Sequence, residues 1–133
     1  MTRTEFNDLP GLINEVRRRK EEIEVLEGIA EGGSQASEND RVQSSARDRT
    51  EILAAIIDLK EELKPLEENL EAAKAEAKEL MRSQLRGRDL RLIRLRYLTG
   101  LKWYQIARTM NYNQNYVQEL ASQCIERLFP EKA

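Results

Sequence analysis

The stretch from Trp103 to Leu128, WYQIARTMNYNQNYVQELASQCIERL, decides how this chain is read. Trp103, Ile106, Ala107 and Met110 stand at helical spacing, and Val117, Leu120, Ala121, Cys124 and Leu128 do so again after the polar run NYNQN. Such periodicity marks the inward stripe of a helix. Two short helices around a tight turn, with a small residue inside the first, predict a helix-turn-helix. The reason is mechanical. Ala107 is small where a second helix crosses closely over it, and the turn four residues later needs a positive φ, which asparagine tolerates best after glycine. Asn111 fits that turn, and Asn113 is placed to cap the helix that follows.

If Asn113 caps this helix, Val117, Ala121, Cys124 and Leu128 point inward. The opposite side then carries Asn115, Gln118, Glu119 and Ser122, with Gln114 near the leading end. Asn and Gln can bind the N6/N7 edge of adenine bidentately, Glu can accept from cytosine N4, and Ser is adaptable. These five are the candidate base-reading residues; the plain alternative is an amide-rich face that is merely soluble. Trp103 is read as core and Tyr112 as core or edge packing. Cys124 is read as a small packing residue, since no histidine exists to activate it.

Charge is distributed unevenly around this segment. Met1 to Leu80 carries 12 Lys/Arg against 20 Asp/Glu, a balance of −8, whereas Met81 to Ala133 carries 10 against 4, a balance of +6. The basic residues concentrate in Arg82, Arg86, Arg88, Arg91, Arg94 and Arg96, followed by Lys102 and Arg108. Clusters of this kind approach phosphates or pair with acidic helices. Candidate phosphate contacts are therefore Arg86, Arg88, Arg91, Arg94, Lys102 and Arg108, with Asn113 and Tyr116 beside the turn. The segment RDLRLIRLRYL (88–98) is apolar on more than one face, as in a helix sandwiched between neighbours.

Upstream, two longer apolar-periodic segments appear. The first runs from about Pro10, a residue suited to a first helical turn, to Ala30, with Ile13, Val16, Ile23 and Leu26 on one face. The polar run EGGSQASEND (31–40) predicts a connection between antiparallel helices, with Ser37 and Asp40 as a capping box. In the second segment Ile52, Ile56, Leu59, Leu63, Leu66, Leu70, Ala73, Ala77 and Leu80 alternate spacings of four and three, a coiled-coil seam. Pro65 sits in the seam's solvent-side register and predicts a kink.

A first helix of about 30 Å cannot cover a helix from about Arg41 to Gln84, which would extend roughly 65 Å. If residues 10–30 pair with approximately 41–62, then Leu63, Leu66, Leu70, Ala73, Ala77 and Leu80 lack an intrachain partner. An exposed stripe of that length marks an interface, and a homodimer is the expectation; the alternative is that the stripe cradles the C-terminal domain. The expected organisation is thus all-α, with a coiled-coil helical hairpin over 1–84 for oligomerisation and a helix-turn-helix DNA-binding domain over 85–133.

Composition narrows the function classes. With no histidine and one cysteine, Cys/His metal sites and a disulfide framework are excluded, and no cofactor is expected. No nucleophile–base pair or metal set supports an enzyme. MTRTEFNDLP has no apolar signal region and no later run is long enough to span a bilayer, so no membrane partner and a cytoplasmic location are expected.

The residues LRLIRLRYLTGLKWYQIARTMNYNQNYVQELASQCIERL resemble region four of bacterial sigma factors, especially in LRY, the Gly-Leu before the first helix and the Ile-Ala pair. The likeness covers roughly residues 86–128. With an acidic coiled coil ahead of it, the chain is similar to small sigma-region-four-like phage and prophage proteins related to ArpU/RinA-type late transcription regulators. That resemblance implies a bacterial host cell, double-stranded DNA as partner, regulation of phage late genes, and host RNA polymerase as a further partner. One departure is plain. Sigma region four usually carries several Arg or Lys residues on its recognition helix, whereas this chain offers Gln114, Asn115, Gln118, Glu119, Ser122 and Gln123. The usual sigma promoter element therefore does not follow as the target, and without a promoter-melting segment the chain is expected to act as a regulator. Two alternatives stand beside this one: the DNA-recognition small subunit of a phage packaging terminase, and a polymerase-binding module that does not read DNA.

Overall fold

The computed structural model of the protein describes residues 1–32 and 46–130, which form five α-helices and no strand. These are α1 (Arg3–Ala30), α2 (Ala46–Gln84), α3 (Gly87–Tyr97), α4 (Trp103–Met110) and α5 (Gln114–Leu128). The all-α class is as expected. From residue 33 onward the connection expected over 31–40 lies outside the described residues, as does the Ser37/Asp40 capping box. None of the described helices is long and apolar enough to cross a membrane.

α1 begins earlier than the sequence reading places it. Thr2 Oγ1 accepts from the Glu5 N–H at 3.1 Å and lies 3.2 Å from Glu5 Oε1, so a Thr-x-x-Glu start satisfies the free end of the first turn. Pro10 is consequently inside α1 and not in its first turn. The proline removes one helical N–H, a loss offset by burial of Phe6, Leu9, Pro10 and Ile13 along one stripe. α2 likewise runs as one helix through Pro65, which is exposed.

Contacts divide the chain into two compact units, Met1–Asn14 with Asn69–Ala133, and Glu15–Glu68. The ends of α1 and α2 thus belong with the C-terminal helices, where the sequence reading divides the chain between residues 84 and 85.

Within Glu15–Glu68, α1 and α2 run antiparallel. Lys20 Nζ lies 2.9 Å from Glu67, Arg19 lies 3.5 Å from Glu62, and Lys60 Nζ lies 3.0 Å from Glu27. Exposed pairs of this kind contribute only about 0–1 kcal/mol each, but they report the register. Residue 20 lies beside 67, not beside 52 as the expected pairing requires, which places Ile23 opposite Leu63 and Ala30 opposite Ile56. All four are buried.

This register corrects the interface expectation. Leu63, Leu70 and Ala77 are buried within the single chain, and Leu66, Ala73 and Leu80 are half-buried. The stripe is not the bare surface that the homodimer argument needed. The observed pairing is offset from the expected one by about two heptads, and a seven-residue repeat looks the same after such a shift.

In the other unit, Phe6 carries the packing. Its ring stacks on Tyr97 at 4.4 Å between centroids and meets Phe129 edge-on at 5.4 Å. Aromatic pairs in these arrangements add to simple area burial. Burial also pushes the Tyr97 hydroxyl above its ordinary pKa. Gly100, at φ 77, passes so close to α1 that an added Cβ would stand 2.9 Å from Ile13 Cγ2. Both the positive φ and the contact require glycine here. Phe6→Ala should therefore lower unfolding free energy by about 3–5 kcal/mol. Gly100→Ala should cost roughly 1–3 kcal/mol. Urea denaturation checks both, and a loss under about 0.5 kcal/mol, the size of an ordinary surface substitution, would remove these contacts from the account.

Candidate nucleic-acid interface

The junction between α4 and α5 is built by asparagines. Asn111 adopts φ 59 and ψ 46, the left-handed conformation, and is the one non-glycine residue with positive φ among the described residues. Its N–H donates to the Arg108 carbonyl at 3.3 Å and the Tyr112 N–H to the Ala107 carbonyl at 2.9 Å. These two bonds close α4 in the manner of a Schellman turn, satisfying carbonyls that the helix leaves free. Two residues later Asn113 Oδ1 accepts from the Asn115 N–H at 2.8 Å with extended backbone, so Asn113 caps α5. The left-handed backbone of Asn111 turns the chain, and the carboxamide of Asn113 restarts the helix.

The cap fixes which face of α5 is presented. Val117, Leu120, Ala121, Cys124, Ile125 and Leu128 are buried. Asn115, Glu119 and Ser122 are exposed, Gln118 is half-buried, and Gln114 is exposed at the leading end. Spacings of three and four set Asn115, Gln118, Glu119 and Ser122 on one side of the helix. The face ends at Glu126, which accepts from Arg3 at 2.9 Å. Cys124 belongs to the core; burial is the largest influence on its thiol and raises its pKa, which leaves it a poor nucleophile.

The arginines of the basic segment separate into two groups. Arg86 Nη1 donates to the Arg82 and Leu85 carbonyls at 2.6 and 3.1 Å, closing the end of α2. Arg96 donates to the Leu101 carbonyl at 2.9 Å while its guanidinium lies 4.5 Å from the centre of the Trp103 ring, so it braces the turn between α3 and α4. Desolvation by burial lowers the Arg96 pKa from its usual value. Trp103, expected as core, is half-buried beneath this cation. Arg127 and Asp89 pair, joining α5 to the first turn of α3.

The second group points outward. Arg91, Arg94, Lys102 and Arg108 are exposed and make no ion pair or side-chain hydrogen bond among the described residues. Arg88 reaches from α3 to the start of α5, where its Nη1 is 3.3 Å from the Tyr116 hydroxyl, and it also lies 3.4 Å from Asp89. Tyr116 is held edge-to-face by Tyr112 at 5.4 Å, so Tyr112 packs at the edge of the surface, not in the core. Tyr104, which the sequence reading passed over, is 50% exposed on α4 one turn before Arg108. Its position four residues ahead of an exposed arginine was the available signal. Together these groups can supply phosphate donors, while the polar face of α5 carries two amides, a hydroxyl and the carboxylate of Glu119.

Comparisons with protein-family models, with curated proteins and with solved structures find no match for this chain.

The turn generates its own prediction. Asn111→Gly should be tolerated, Asn111→Ala should cost about 1–2 kcal/mol through the left-handed backbone, and Asn113→Ala should cost about 1 kcal/mol through the lost cap. Thermal unfolding of the three variants measures this, and equal stability of Asn111→Ala and Asn111→Gly would contradict the role given to the turn.

Proposed function

We propose that this protein is a sequence-specific DNA-binding transcription regulator of the helix-turn-helix type, reading the major groove with α5. The observation that carries the reading is the capped polar face of α5, with Asn115 and Ser122 exposed and Gln118 half-buried, in a chain that also exposes Arg91, Lys102 and Arg108, whose charges have no partner among the described residues. Amides discriminate base edges by bidentate hydrogen bonds, whereas unpaired guanidinium and ammonium groups attract phosphates of any sequence. Affinity and discrimination thereby fall to different side chains. Asn113, whose Oδ1 is committed to the cap, serves the reading helix chiefly by orienting it.

The further identity of the target rests on the resemblance of residues 86–128 to sigma region four. It supports action on phage or prophage late genes and contact with host RNA polymerase. The all-helical architecture agrees with that likeness at the level of fold class.

The test is a binding comparison on duplexes selected from random DNA. Asn115→Ala and Gln118→Ala should each cost about 1–3 kcal/mol on the selected site and relax preference at particular base pairs. Arg91→Ala and Arg108→Ala should weaken binding to every sequence and flatten the dependence of affinity on salt. Equal losses on selected and random DNA for the amide variants would refute the assignment of reading to α5.

A further inference from the structure

Away from α5, the end of α2 and the outer side of α3 enclose a small pocket of about 90 Å³ lined by Lys78, Met81, Arg82, Leu90, Arg94 and Leu98. Its composition is unusual. Three cations meet around an apolar wall in which Met81 is fully buried and Leu90 and Leu98 are half-buried. Among the described residues the one carboxylate paired with them is Glu79, 3.6 Å from Arg82, and both partners of that pair are largely exposed. Lys78 and Arg94 make no ion pair or side-chain hydrogen bond among the described residues. An apolar wall on one side strengthens the field of such charges by excluding water. The volume accommodates an oxyanion or a few waters, not a nucleobase or a helix.

We infer that this pocket is a second phosphate-binding site, which takes a backbone phosphate of the DNA flanking the segment read by α5. Position favours a phosphodiester over a protein carboxylate. Arg88, Arg91 and Arg94 follow one another at three-residue intervals on α3, so their Cα atoms climb about 9 Å along the helix. Arg88 touches Tyr116 at the start of α5, and Arg94 lines the pocket. A line of cations therefore leads from the edge of the reading helix to Lys78 and Arg82, and guanidinium forks match phosphate oxygens. The inference rests on the DNA-binding reading and extends its footprint to α2, outside the residues that resemble sigma region four.

The test is the salt dependence of duplex binding by the full chain and by Lys78→Gln/Arg82→Gln. Both side chains are exposed, so the variant should fold, and circular dichroism with thermal unfolding verifies it. Each phosphate contact contributes about 0.9 to the slope of log affinity against log salt. The variant should lose about two units of slope, so that raising salt from about 50 to 200 mM weakens it about ten-fold less than the parent chain. The loss should be equal on selected and random duplexes long enough to reach the pocket. An unchanged slope in a folded variant, with the parent binding DNA, would overturn the pocket as a phosphate site, with the reading by α5 intact. A parent chain that binds no duplex at all would overturn both.

Discussion

The stacking of Phe6 on Tyr97, closed edge-on by Phe129, is the contact on which the C-terminal unit depends. It ties the first turns of α1 to the end of α3 and to the residue that follows α5. Gly100 can lie against Ile13 only because it has no Cβ and tolerates a positive φ. Once Tyr97 is fixed inward with Leu92 and Ile93, the helical period turns Arg88, Arg91 and Arg94 outward. The basic surface is in this sense a consequence of an aromatic core.

Other arginines are committed to the backbone. Arg86 and Arg96 donate to backbone carbonyls at two helix junctions, one at the end of α2 and one before α4. The half-buried Arg96 guanidinium gains an acceptor there for one of its N–H groups, which offsets part of its desolvation. The result is a small basic region in which some charges build the scaffold and others remain unpaired on its surface. Unpaired surface cations repel one another, so a surface that keeps them gains from a polyanion.

Much of the α4–α5 region was legible in the sequence. Asparagine at 111 and 113 has few roles between two apolar-periodic runs, and both the left-handed turn and the cap follow from its short side chain. The buried stripe of α5 follows from spacing alone. The start of α1 was not read, because Pro10 is a strong N-terminal signal and overshadowed the Thr-x-x-Glu pattern at residues 2–5. The register of α1 on α2 was not legible either. Stripes repeating every seven residues fit one another at several offsets, and the offset adopted, which Lys20–Glu67 and Glu27–Lys60 report, goes with an α1 that starts earlier than Pro10. Nor could composition say which arginines build turns and which face solvent, since that depends on the rotation of α3 about its own axis.

The proposed function implies a division of labour, in which amides on α5 discriminate bases while arginines and a lysine outside α5 supply affinity. Side-chain amide resonances report it directly. In an isotopically labelled sample titrated with a selected duplex and then with a random one, the Asn115 and Gln118 NH₂ signals should shift on the selected duplex alone, while backbone signals around Arg91, Lys102 and Arg108 should shift on both. Identical responses of the two amides to both duplexes, or shifts confined to other helices, would contradict the account.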